Sequence, residues 1–325
     1  MIVNILKTSK PISVLTFSVL CLLFLIATFS YNFDISFSKT GYPLYDIFNV
    51  LSFEKIWLAK ILVFVLAILT SMGWNNLIYD KSILNKSSIL PASLVLIMSV
   101  VFWFSPLWPV HFLLLFFLQK LLSVYQIEKP YSYLFDAGLI LGLCFLMYPP
   151  SIFFLLTLFS ANFIYSSISW RNFVIPILGF AIPTLIFIAY SYNYLPISDY
   201  IIHYQKALCF DLPVISVPQF AVFFVAVISL VFILSIFELF SWLPMKSLKS
   251  RNSFVLLFIF SICAFFGLFL SSSHGWNHLL LFALPFSVLS ANYFLFSIKK
   301  WWYQSVFTIL LLSVAYFFIR SFFTF

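Results

Sequence analysis

The sequence predicts an all-α, polytopic transmembrane helical bundle of about eleven spans, on three observations. Of its 325 residues, 64% are hydrophobic and 8% are charged, with a mean hydropathy of +1.12. That leaves too little polar surface to coat a water-soluble globule. Apolar stretches of roughly twenty residues, the length that crosses a bilayer core, recur along the chain. The 17 Lys and Arg fall between those stretches. Forty-five Phe against seven Gly suit helices with bulky lipid-facing sides, and the alternation of an outer-membrane barrel strand is missing. Helices also satisfy their own backbone hydrogen bonds in lipid.

Spans are expected near 11–30, 56–78, 89–106, 109–126, 133–148, 151–168, 173–192, 218–241, 254–271, 278–297 and 304–323. The first follows Lys7 and Lys10; its apolar core is too long for a secretory signal and no clear cleavage site follows, so it is an uncleaved helix. Asn75-Asn76 stands near the end of the second, as cap and anchor. Tyr148-Pro149-Pro150 either turns a tight hairpin between two short spans or breaks a re-entrant pair. Pro176, Gly179 and Pro183 should kink the seventh span. Gly138 and Gly142, four apart in the fifth, offer a face that a neighbouring helix can approach closely.

Charge orients the threading. One set of connections carries Lys7, Lys10, Lys81, Lys86, Lys120, Lys129, Arg171, Lys246, Lys249, Arg251, Lys299 and Lys300. The opposite set carries Lys39, Lys55, Lys206 and Arg320 beside Asp34, Asp46, Glu54, Asp199 and Asp211. Positive residues gather on the cytoplasmic side, which puts the N-terminus in the cytoplasm and, after eleven spans, the C-terminus outside. All nine Trp fall at span ends or in short connections, as aromatic belts require. The basic residues come in ones, twos and threes with no continuous basic face, so lipid headgroups explain the net charge of +8 and nucleic acid does not. Cys21, Cys144, Cys209 and Cys263 build neither a disulfide framework nor a zinc pattern. The chain therefore reads as one membrane domain, residues 1–325, with no metal and no cofactor implied.

Two outer loops are long. In the first, residues 31–55, Leu44, Ile47, Phe48 and Leu51 recur at helical spacing and predict an interfacial helix. The second, residues 193–217, holds Asp199, His203, Lys206 and Asp211. Ionisable groups near the midplane would mark an ion path. Lys60, Asp136 and Glu238 instead sit near span ends, as anchors or in helix–helix pairs, which argues against an ion-driven carrier.

The candidate constellation is Ser271-Ser-Ser-His-Gly-Trp-Asn-His278, a polar outer connection running into an apolar helix. If that helix begins early, His274 and His278 share one face with their rings toward the outer surface. With Asn277 they offer hydrogen bonds to an anionic headgroup or diphosphate; the plainer alternative is a solvated hairpin turn with interfacial histidines. His111 stands alone at an outer helix start. Metal binding by His274 and His278 would need a third ligand that no spacing supplies.

On Lys7-Thr-Ser-Lys-Pro11, Leu134-Phe-Asp-Ala-Gly-Leu-Ile-Leu-Gly142 and Trp170-Arg-Asn-Phe-Val-Ile-Pro-Ile-Leu-Gly-Phe-Ala-Ile-Pro183, the whole chain resembles an uncharacterised group of multi-pass inner-membrane proteins of the Bacteroidetes, carried as a domain of unknown function. That resemblance implies a diderm bacterial inner membrane, with the C-terminus in the periplasm, and no particular activity. The stretch Phe269 to Pro285 resembles the late outer turn of polyprenyl-phosphate-sugar glycosyltransferases of the C-type fold, a likeness over about a fifth of the chain. It implies that His274 or His278 holds a lipid-linked phosphate and that Asp34 or Asp46 is the catalytic base. In that family the acids are paired just after the first helix, and here Asp34 and Asp46 are separate.

Two functions follow. One is a non-catalytic or accessory component of an envelope assembly, packing against other envelope proteins, motivated by the separate acids and the Gly138/Gly142 face. The other is a membrane glycosyltransferase or transporter of lipid-linked envelope glycans at the outer leaflet, with Asp34 and Asp46 catalytic and His274, His278, Asn277 and His203 binding substrate. Partners on these readings are membrane lipids, a polyprenyl-linked sugar or envelope proteins.

Overall fold

The computed structural model describes residues 2–8, 10–30, 56–102, 105–165, 169–194, 197–209, 219–270, 276–297 and 299–323. Asp34, Asp46 and His274, and with them the expected interfacial helix of the first loop, lie outside these residues.

Among the described residues the chain is helical without strands. The helices are α1 (Ile2–Leu6), α2 (Pro11–Ser30), α3 (Ile56–Asp80), α4 (Leu90–Ser99), α5 (Trp108–Ser123), α6 (Tyr131–Met147), α7 (Phe154–Tyr165), α8 (Trp170–Tyr194), α9 (Ile197–Ala207), α10 (Val222–Trp242), α11 (Leu248–Gly267), α12 (Ala283–Phe296) and α13 (Lys300–Phe323). Seven stretches are long and apolar enough to cross a membrane, built on α2, α3, α8, α10, α11, α12 and α13. The stretches Leu90–Phe102, Trp108–Ser123, Tyr131–Met147 and Pro149–Tyr165 are apolar but shorter. Every predicted span therefore has a helix beneath it, seven of full crossing length.

Apolar all round, these helices separate by what covers them. Only 17% of the α8 span and 22% of the α2 span are buried, against 83% of the stretch Asn277–Phe296 that contains α12. Leu15, Leu22, Ile177, Leu185, Ile186 and Phe237 point outward, the surface of a membrane-embedded protein that contacts lipid. α4 and α12, every α4 residue buried, form the centre and pack on each other.

The lysine-bearing connections meet at one end. Lys81 Nζ donates to Ser123 Oγ (2.7 Å), Ser250 Oγ to the Ile83 carbonyl (2.6 Å) and the Tyr303 hydroxyl to Asn4 Oδ1 (2.9 Å). At the opposite end Tyr148 meets His278, and Phe102 packs on Trp276 with ring centroids 4.9 Å apart. The four shorter stretches thus run back and forth between the same two ends, and Pro149-Pro150 turns a hairpin whose tip is buried.

The Gly138/Gly142 face is used inside the chain. A Cβ on Gly142 would lie 2.5 Å from the Phe180 carbonyl oxygen; one on Gly138 would collide with the Pro176 carbonyl, and one on Gly179 with that of Phe135. α6 and α8 approach backbone to backbone, so this face is not offered to a partner protein. Pro176 removes the amide that would bond the Asn172 carbonyl four residues earlier. That carbonyl instead accepts from Asn162 Nδ2 of α7 at 2.8 Å, the side-chain repair that lets proline persist in a membrane helix.

Two expectations need adjustment. Trp57, Trp170, Trp301 and Trp302 are exposed as belt residues, but Trp74 and Trp108 are fully buried, donating to Ser287 Oγ (2.8 Å) and to the Phe102 carbonyl (3.1 Å). Sequence position near a span end does not say which face a side chain takes. The loop 193–217 contains α9, whose Tyr204 hydroxyl donates to the Leu146 carbonyl (2.8 Å) and ties the helix over the α6–α7 tip. As expected, Asp136 pairs between helices, with Lys120 Nζ of α5 2.7 Å from its Oδ2, whereas Glu238 Oε1 accepts from Trp242 Nε1 within α10 at 2.8 Å. The half-exposed Lys120–Asp136 pair contributes at most about 1 kcal/mol.

Candidate functional site

Two prolines set up the site. The residue before a proline is driven out of the α region, and Tyr148, ahead of Pro149, is extended at φ −148° and ψ 96°. α6 stops there, and its last side chain turns into the bundle, 1% exposed. It meets His278, which does not begin an α-helix: Asn277–Phe282 is a 3-10 turn, and α12 starts only at Ala283.

His278 points inward, 1% exposed, away from the outer surface where an early helix start would have placed it. Its Nε2 lies 2.6 Å from the Ala264 carbonyl, which can only accept, so Nε2 carries the proton. Nδ1 then accepts from the Tyr148 hydroxyl, also at 2.6 Å. The ring staples the α6–α7 tip, α11 and the 3-10 turn to one another. Gly267 makes the space: a Cβ there would sit 2.6 Å from His278 Cε1.

Beside the staple lies a groove of about 490 Å³ between α10 and α11, reaching inward to Met98 and Phe102. This is within the size range of small-molecule sites, about 300–1,000 Å³. Ile228, Phe232, Leu279 and Phe282 form its floor, and Ile233, Ile262 and Phe265, exposed on the outside of the bundle, form its mouth. Its polar members are Ser229, Ser261 and His278; Ser261 Oγ donates back to the Phe258 carbonyl (2.6 Å), so that hydroxyl offers little to a ligand. A chain of CH₂ groups fits such a lining, whereas a sugar would leave its hydroxyls unpaired there. A larger groove, about 620 Å³ between α2 and α13, is equally apolar but lies away from the histidine staple.

Of the expected site residues, the described structure joins His278 to this groove and leaves Asn277 half-buried at the first position of the turn. His203 falls in α9, its side chain outside the described residues. Asp34, Asp46 and His274 fall outside them altogether. His111 is fully buried with its ring edge-on to Trp108, 5.7 Å between centroids, and neither ring nitrogen has a hydrogen-bond partner among the described residues. Tyr148, Ala264 and Gly267 escaped the sequence reading; the one local signal was Tyr148 preceding Pro149-Pro150.

No curated protein matches the chain, and no solved structure does. The profile of DUF6427, a family of unknown function, matches residues 42–325, and the chain belongs to that family.

Proposed function

We propose that this protein is a non-catalytic component of a bacterial inner-membrane envelope assembly that holds the hydrocarbon tail of an envelope lipid in the α10–α11 groove. The observation that carries this reading is the pairing of a laterally open, almost wholly apolar groove with a histidine whose two ring nitrogens are already used inside the fold. A lipid chain enters such a groove from the bilayer without passing through water, and its headgroup then lies at the end of the bundle where Tyr148 meets His278. The separate Asp34 and Asp46 fit an accessory role better than acceptor deprotonation, which calls for a carboxylate poised at the reacting hydroxyl.

In this reading the lysine-rich end faces the cytoplasm, by the alternation of basic connections. All eleven apolar stretches cross, the four shorter ones within a bundle whose long helices set the membrane thickness, and the groove lies in the outer half. The rival reading is a glycosyltransferase or transporter acting on lipid-linked glycans, with Asp34 or Asp46 as base and His274 on the phosphate.

Complementation separates the two. In cells lacking the chain, Asp34→Ala, Asp46→Ala and His274→Ala are expected to restore the envelope and the lipid-linked glycan pools, while Ser229→Trp, which plugs the groove mouth, fails to do so. Restoration by Ser229→Trp together with failure of either acid variant would instead establish the enzymatic reading.

A further inference from the structure

The opposite end of the bundle holds a second constellation, built from four separate connections. Phe296, the last residue of α12, carries Lys86 Nζ from the α3–α4 connection 5.2 Å from its ring centroid and Lys246 Nζ from the α10–α11 connection 4.6 Å from it. The two ammonium groups are therefore no more than about 10 Å apart. Lys7 lies 3.5 Å over the Tyr303 ring at the start of α13, and its charge feels that of Lys86. α1 puts it there: Val3 and Leu6 are buried, and Asn4 accepts from the Tyr303 hydroxyl.

Three cations held this close repel one another; Glu238, the carboxylate that accepts from Trp242 where that indole packs on Phe296, forms no ion pair with them, and among the described residues the ion pair formed is Lys120–Asp136. Burial, with Lys86 adding to it, pulls the Lys7 ammonium down to about 8, and burial pulls Lys246 down to about 8. Lys7 and Lys246 are half-buried and Lys86 is exposed; cation–π contact offsets part of the cost of gathering them, and an anion joining them would offset the rest. One helical turn deeper on the Phe296 face of α12, Asn292 is fully buried and neither of its amide atoms has a hydrogen-bond partner among the described residues. Buried groups of that kind point to a water or polar ligand completing them.

The geometry points to a phosphate-binding site here: Lys7, Lys86 and Lys246 hold the phosphate of a monoester or diester against the Phe296–Tyr303 connection, the source being a leaflet phospholipid or a soluble phosphorylated molecule. The aromatic rings fix the ammonium groups from below by cation–π contact and leave their remaining N–H donors to the anion. This site is independent of the lipid groove and does not rest on its occupant.

The test uses the full chain in a phosphate-free maltoside detergent at constant ionic strength, with chloride as the reference anion. Phosphatidylglycerol and inorganic phosphate are titrated separately while thermal unfolding is followed. Stabilisation by at least one is expected; a response to the lipid alone identifies a headgroup, and a response to inorganic phosphate identifies a small soluble anion. K86Q/K246Q should weaken the responding ligand about tenfold, whereas K129Q/R171Q, which removes the same charge from two exposed positions outside the site, should not. Without anion, K86Q/K246Q should unfold at or above the wild-type temperature, because the repulsion is relieved. No response to either probe, equal loss in both double variants, or a K86Q/K246Q chain that does not fold would overturn the site.

Discussion

Valine at Gly138 is expected to abolish folded protein. The Cβ alone would collide with the Pro176 carbonyl of α8, a backbone atom that cannot rotate away. The neighbouring contacts are equally rigid, since Gly142 faces the Phe180 carbonyl and Gly179 the Phe135 carbonyl. Accommodating valine would require α6 and α8 to separate along their whole shared seam, which we place at about 3 kcal/mol or more, a large part of a typical folding free energy. Size-exclusion chromatography and thermal unfolding in mild detergent read the outcome. Gly73→Ala is the control, because its new Cβ would meet only the Leu115 methyls, at 3.5 and 3.6 Å. That variant should fold and keep or raise its unfolding temperature, since alanine is the better helix former by up to about 1 kcal/mol. A Gly138→Val protein that is monodisperse and melts with the wild type would show that α6 and α8 do not pack in this way.

The second large effect is expected at His278. Leucine there preserves volume but takes away the acceptor of the Tyr148 hydroxyl and the donor to the Ala264 carbonyl, at a cost of about 2–3 kcal/mol. Tyr148→Phe removes one of those bonds and should cost about 1 kcal/mol. Because the two side chains share a bond, the double variant should be less damaging than the sum of the singles, by about 1 kcal/mol. Additive losses, or His278→Leu unfolding at the wild-type temperature, would mean that the staple is not formed. The same result bears on function, since a histidine that closes the fold is a poor choice to carry a mobile phosphate.

Much of this architecture is written locally. The apolar lengths, the lysines between them and the glycine spacing in α6 depend on neighbouring residues, and each found its counterpart in the structure. What the sequence could not convey was direction. Gly138 and Gly142 announce a close contact without saying whether the other helix is in the same chain, and it is α8. Trp74 and Trp108 stand where belt residues stand, but buried acceptors draw their indoles inward. His278 turns inward for a similar reason: the 3-10 start of its helix and the missing Cβ at Gly267 open a pocket for the ring, and both are tertiary facts. α9 escaped notice because Pro196, Asp199 and Lys206 make its segment look like loop, whereas its purpose is to cover the α6–α7 tip.

The central claim is that the α10–α11 groove holds a lipid chain, and native mass spectrometry after detergent exchange tests it most directly. Wild-type protein extracted from membranes is expected to retain an adduct of lipid mass that Ser229→Trp loses. Leu185→Trp, which puts the same side chain at an outward position on α8 away from the groove, should retain it. A wild-type protein stripped of lipid as readily as Ser229→Trp, or equal loss in both tryptophan variants, would contradict the account.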